Sequence, residues 1–465
     1  MTTVPTAMTL HPRPEPGEPT PWAFPAPTRG TLPNGLTVLR CHRPGQKLVA
    51  VELVLDAPLA AEPADLEGVA TILARSFTEG TETLSAEEFA AELERAGADL
   101  DAYADHPCVR LSLEVPASRV ERGLTLLADA VRAPAFPADE VERVVANRLD
   151  EIQHELANPA RRAAFALYGA LFPAGDRLSR PRAGRAETVA RVDHEAVREF
   201  YRRHVRPATA TAVIVGDLEA AADGDLDAVL TRTLGAWSGD AAERSVPAPV
   251  TADDTGRVVI VDRPGSVQTQ LLIGRIGPDR HDPVWPAQVV GTYCLGGTLT
   301  SRLDRVLREE KGYTYGVRSL SQPLRSGPGG TGRALLAISG SVDTPSTAPA
   351  LADLQKVLRT LAAEGLTDQE RDAAVDNLVG VAPLRYETAA AVADTLADQV
   401  EQFLPDDHQA RLYRRLAATS TAEATAAVVA GFAPERLVTV LVGDASAIAD
   451  DIRGLGLGEV TVIAG

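Results

Sequence analysis

Arg308 and Tyr315 are the side chains whose types and spacing point to chemistry. They are a permanent cation and a phenolic hydrogen-bond donor, seven residues apart in Leu307-Arg308-Glu309-Glu310-Lys311-Gly312-Tyr313-Thr314-Tyr315. The local pattern predicts a helix whose last turn holds Arg308 and Lys311, a stop at Gly312 and a strand from Tyr313. A helix end followed at once by a strand can bring two such side chains toward one point. Spacing alone leaves the ordinary roles open, a helix-end arginine serving the dipole and a strand tyrosine serving a core. Strand alternation would also place Tyr313 on the face of Tyr315. Other candidates fall away. Gly327-Pro328-Gly329-Gly330-Thr331-Gly332 satisfies G-x-G-x-x-G, but Arg333–Ser339 reads as strand where a dinucleotide site needs a helix, so a hairpin loop is expected. His154 has no histidine partner four residues away, and Cys41, Cys108 and Cys294 are too scattered for a disulfide framework or a cysteine zinc site.

The elements that must position these residues are legible from periodicity. An Asn34-Gly35 turn ahead of alternating apolar residues signals a hairpin, and Val49–Leu55 reads as a strand. A helix is expected over Asp65–Thr78 with the stripe Leu66, Val69, Ala70, Leu73 and Phe77. Ser85-Ala86-Glu87-Glu88 is a capping box opening the next helix. A strand Leu111–Val115 is followed by helices near 117–133 and 138–157, and a strand Thr209–Val215 comes later. Residues 237–256 lack periodicity and read as a linker.

The plan then restarts. Arg43-Pro44-Gly45 recurs as Arg263-Pro264-Gly265, and Val215-Gly216-Asp217 recurs as Val442-Gly443-Asp444, in the same order and at nearly one offset. Two tripeptide echoes on the same strand type indicate a duplicated domain. The expected architecture is α+β, with two homologous domains at 29–236 and 257–465, each a mostly antiparallel sheet packed with helices. Residues 1–28, with eight prolines from Pro5 to Pro27, are expected to be a disordered tail anchored only by Trp22 and Phe24.

Here the chain resembles the pitrilysin/insulinase family of zinc peptidases, the inverzincins. The match lies in Leu32-Pro33-Asn34-Gly35-Leu36, Gly68-Val69-Ala70, Gly80-Thr81 and the duplication. In that family the helix carries His-x-x-Glu-His, two zinc ligands and a general base. Aligning on Gly68-Val69-Ala70 puts those positions at Thr71, Ala74 and Arg75, and the family's third ligand at Glu151. A threonine is a poor ligand, an alanine is no base, and a guanidinium repels the metal. Glu151 is read as an ordinary solvated helix glutamate, since one carboxylate cannot recruit zinc alone. The resemblance therefore implies no metal and no cofactor in this chain.

Gly296-Gly297-Thr298-Leu299-Thr300-Ser301-Arg302-Leu303 and the segment after it are similar to the family's Arg/Tyr motif. By that resemblance Tyr315 donates to the oxyanion of a scissile carbonyl, and Arg308 orients the substrate or Tyr315. The implied molecule is half of a clamshell, a zinc-less subunit that cleaves unfolded or short peptides only with a homologous zinc-bearing partner. The alternative is a scaffold or peptide-binding homologue without chemistry. A formal net charge of −18 argues against nucleic acid and suggests cationic peptides. No apolar run reaches the ~20 residues of a membrane span. The sparse cysteines and the lack of a signal-peptide layout fit a reducing cytoplasm.

Overall fold

The computed structural model describes Gly17 and residues 22–221, 225–328, 330 and 332–465. The expected disorder of residues 1–16 and 18–21 lies outside the described residues. Trp22 stacks on Tyr386 with ring centroids 5.6 Å apart, Phe24 meets the same ring edge-on at 4.9 Å, and the first strand starts at Thr28.

The first half supplies β1 (Thr28–Thr31), β2 (Thr37–His42), β3 (Leu48–Leu55), β4 (Asp99–Asp105), β5 (Cys108–Pro116) and β6 (Thr211–Gly216), in the order β1-β2-β6-β3-β5-β4. The second supplies β7 (Arg257–Asp262), β8 (Gln268–Gly277), β9 (Val317–Arg325), β10 (Arg333–Asp343), β11 (Val438–Gly443) and β12 (Glu459–Ala464), in the order β12-β7-β11-β8-β10-β9. Five of the six positions correspond in sequence order. The sixth is filled by the N-terminal β1, antiparallel to β2, in one sheet and by the C-terminal β12, parallel to β7, in the other. The α+β class and the duplication stand.

The repeated tripeptides meet in space. Gly45, at φ 80°, donates its N–H to Asp217 Oδ2 at 2.9 Å, and Gly265, at φ 75°, donates to Asp444 Oδ2 at 2.8 Å. Each half uses its Val-Gly-Asp aspartate to close its own Arg-Pro-Gly turn, where a positive φ requires glycine.

On one face of the first sheet lie α1 (Val69–Ser76), α2 (Ala86–Ala96), α3 (Val120–Arg132) and α4 (Ala138–Ala157), around a core containing Val51, Leu53, Leu73, Leu127 and Val144. Helix α1 is shorter than the expected Asp65–Thr78. Gly68, at φ 107°, caps it, and the buried Glu62 carboxylate accepts from Gly68 N at 2.9 Å and Ala70 N at 3.1 Å, which fixes the start. The capping box at Ser85 forms as expected.

The other faces are covered reciprocally. Helix α5 (Pro159–Leu171), from the first half, lies on β8 and β11 of the second sheet. Gly274 permits this approach, because a Cβ there would stand 3.1 Å from Leu167. The second half contributes α6 (Trp285–Gly296), packed on β9, and α7 (Ala389–Glu401), which lies on β3 and β6 of the first sheet. Val392, Leu396 and Val400 of α7 share one core with Leu39, Ala50 and Val213. Arg110 of β5 is buried at this seam and is ion-paired with Asp394 and Glu401 of α7. Among the described residues no single helix is long and apolar enough to cross a membrane.

Candidate functional site

Helix α1 packs on α4, and the contact brings together the positions singled out in the sequence. Thr71 and Ala74 are buried, so neither offers a donor to an open site. Arg75, in the last turn of α1, reaches across to α4. Its Nη1 and Nη2 donate to Glu151 Oε1 at 2.9 Å and Oε2 at 2.8 Å. Arg148, 2% exposed, adds a bond from Nη1 to Glu151 Oε2 at 3.1 Å and holds Glu155 through two more, at 3.0 and 2.8 Å. The Arg75 guanidinium leads in holding the Glu151 carboxyl below its ordinary range.

Glu151 is part-exposed, in keeping with a solvated helix glutamate, but its carboxylate is committed to two arginines. These residues do not fit a zinc ion, because the guanidinium already occupies both oxygens of the carboxylate a metal would need. Among the described residues no group of three His, Cys, Asp or Glu side chains converges to hold a metal.

The Arg/Tyr segment differs from its expected form. A turn at Arg302–Asp304 runs into a π-helix, Arg305–Glu310, with Arg308 in its last turn and Gly312 beyond it at φ 68°. The next strand, β9, begins at Val317 and not at Tyr313, so residues 313–316 form a loop. Tyr313 and Tyr315 consequently part company. The Tyr313 hydroxyl is 3.3 Å from Asp353 Oδ2, whereas Tyr315 is 95% exposed and its hydroxyl makes no hydrogen bond among the described residues.

Among the described residues Arg308 pairs only with its neighbour Glu309, at 3.3 Å, and no hydrogen bond joins Arg308 to Tyr315. Both donors are thus open to an outside acceptor. The loop between them is closed at its base by Asp304, which sequence reasoning missed. Its fully buried carboxylate accepts from Val317 N at 2.8 Å and from Arg318 Nη1 at 2.6 Å. The only signal for it was an aspartate thirteen residues ahead of a valine-led strand.

The glycine-rich segment joins antiparallel β9 and β10, with Gly329 and Thr331 outside the described residues. A strand follows it, not a helix, so it is no dinucleotide loop.

Comparison with known proteins agrees with the α+β fold. Residues 37–181 match the family profile described as Insulinase (Peptidase family M16), and residues 191–378 match the one described as Peptidase M16 inactive domain. A protein of Mycobacterium tuberculosis named an uncharacterized zinc protease is 28% identical over 392 residues, covering 82% of this chain and 84% of the relative. A likewise named protein of Streptomyces coelicolor is 24% identical over 391 residues, covering 83% of each. A solved Pseudomonas fluorescens chain described as a peptidase M16 inactive domain has a TM-score of 0.80 at 23% identity, covering 90% of this chain and 98% of that one. A solved Helicobacter pylori protease has a TM-score of 0.81 at 17% identity, covering 90% and 100%. At these identities the two structures establish a shared fold.

Proposed function

Since the chain belongs to the insulinase (M16) family of peptidases, we propose that it is the zinc-less subunit of a two-component zinc endopeptidase acting on unfolded or short peptides. The observation that carries this reading is the contrast between two places in the molecule. Where the family holds its metal, Arg75 and Glu151 are closed on each other. Where the family places its substrate-binding pair, Arg308 and Tyr315 stand with donors open.

In this reading the attacking water belongs to the metal site of a homologous partner. Tyr315 donates its hydroxyl proton to the carbonyl oxygen as negative charge grows on it, an interaction stronger in the transition state than in the ground state. Arg308 binds a substrate carbonyl and sets its orientation, as a fixed multi-donor cation does. Among the described residues no group of three His, Cys, Asp or Glu side chains converges to hold the metal that would activate that water.

The test is to purify the chain alone and co-expressed with a homologue carrying His-x-x-Glu-His, then to measure zinc content and cleavage of a quenched fluorescent peptide. Cleavage is expected from the pair only. Stoichiometric zinc or peptidase activity in the isolated chain would overturn the reading. A stable pair that never cleaves would leave the scaffold role in its place.

A further inference from the structure

A single helix cannot cover a six-stranded sheet. Helix α5, about 10 Å wide, lies on β8 and β11 of a sheet about 24 Å across. On the β9/β10 side the uncovered flank is a cleft of about 300 Å³. Its floor is mainly apolar, with Gln322 and Ser339 set among leucines and Ala337, and follows from the strand register. Leu320 pairs with Ala337 and Gln322 with Leu335, and these side chains point to the α5 side of the sheet. Phe165 and Tyr168 of α5 form the wall, where burial pushes the Tyr168 hydroxyl up to about 12 and keeps it a neutral donor.

The rim is cationic although the chain as a whole carries −18. Arg180 is paired with Glu67 and Arg182 with Asp105, whereas Arg161 is exposed and has no ion pair among the described residues. Strand β9 begins two residues after Tyr315, so the cleft floor continues from the loop that carries the tyrosine.

We propose that this cleft is a peptide subsite that takes a large apolar side chain adjacent to a carboxylate, with Arg161 reading the carboxylate. The cleft accommodates one aromatic or leucine side chain together with its flanking backbone. The unpaired guanidinium selects an acidic neighbour over a basic one. Locally this reverses the preference for cationic peptides suggested by the net charge. The inference rests on the peptide reading above only in taking the ligand to be a peptide, and its test requires no cleavage.

The full chain, without partner, is titrated into fluorescein-labelled peptides containing Phe-Asp or Phe-Lys in an otherwise Gly/Ala sequence, and binding is followed by anisotropy. Phe-Asp is expected to bind at least tenfold more tightly. Arg161→Glu, an exposed change, should abolish or invert that preference, and Ala164→Phe, which fills the cleft from α5, should weaken both peptides. Equal binding of the two peptides, or a preference untouched by Arg161→Glu, overturns the proposal. Competition by decanoate as strong as by unlabelled Phe-Asp peptide also overturns it, in favour of an acyl-chain site. Because binding is read on the single chain, failure here is distinct from failure of the paired peptidase to cleave.

Discussion

Arg75 holds both carboxylate oxygens of Glu151, at 2.9 and 2.8 Å, so that a cation carried by α1 is bound by the glutamate of α4. An ion pair does here the bridging between two helices that a metal does when histidines occupy the first.

By that correspondence the metal site can be rebuilt. Thr71→His, Ala74→Glu and Arg75→His together should give a chain that retains about one zinc per molecule through chelating chromatography, with Glu151 as the third ligand. A folded triple variant that takes up no zinc would sink the alignment of these positions. Arg75→Ala alone should cost only about 0.5–1 kcal/mol, because both partners are more than a third exposed.

Tyr315→Phe should leave the melting temperature unchanged, since the side chain is almost wholly exposed and its hydroxyl has no partner among the described residues. In the partnered enzyme the same change should lower kcat on the order of a hundredfold with little change in KM, the usual scale for losing one oxyanion donor. A full-rate Tyr315→Phe pair would remove the residue from the chemistry.

Asp304→Ala should free the loop that carries Tyr315. It leaves Val317 N buried without an acceptor, a cost of about 1–3 kcal/mol. Lys311, half-exposed at the start of that loop, is one of three lysines, so digestion with a lysine-specific endoproteinase reads it directly. Cleavage after Lys311 should accelerate at least tenfold while Lys356, inside the helix Thr347–Glu364, stays protected. Unchanged cleavage would show that Asp304 does not hold the loop.

Burial pushes the Glu52 carboxyl up to about 7, against the opposing pull of Ser112 and Arg110, and with Asp394 and Glu401 adding to the rise. A folded pKa above the unfolded one means that the native state holds the extra proton. Stability from this group is therefore present below about pH 4.5 and is lost as the pH rises through 7, by up to about 3 kcal/mol. Glu52→Gln should flatten that slope and be the more stable protein at pH 8, as read from urea midpoints at pH 5 to 8. Parallel profiles for the two proteins would refute it.

Much of the fold was legible because its signals are local. The Ser85 capping box and the Asn34-Gly35 turn each depend on residues close in sequence, and each formed. The echoed tripeptides were informative for a reason visible only in three dimensions, since each echo hydrogen-bonds the other within its half. What periodicity could not supply were long-range substitutions for local rules. The start of α1 is dictated by Glu62 and Gly68, whereas the apolar stripe continues past both helix ends. The strand after Gly312 is delayed to Val317 because Asp304 takes the amide there. The ion pair of Glu151 is invisible to local rules, because its partner Arg75 lies seventy-six residues away.

The exchange of α5 and α7 between the halves also sets a clock on synthesis. The first sheet is complete when Gly216 has been made, but the helix that seals its second face ends at Glu401. At ordinary translation speeds of ~5–20 residues per second, the ribosome needs on the order of ten seconds or more to bridge that gap. During that time Leu39, Ala50 and Val213 form an open apolar surface on the nascent chain, which is covered only when its own second half arrives.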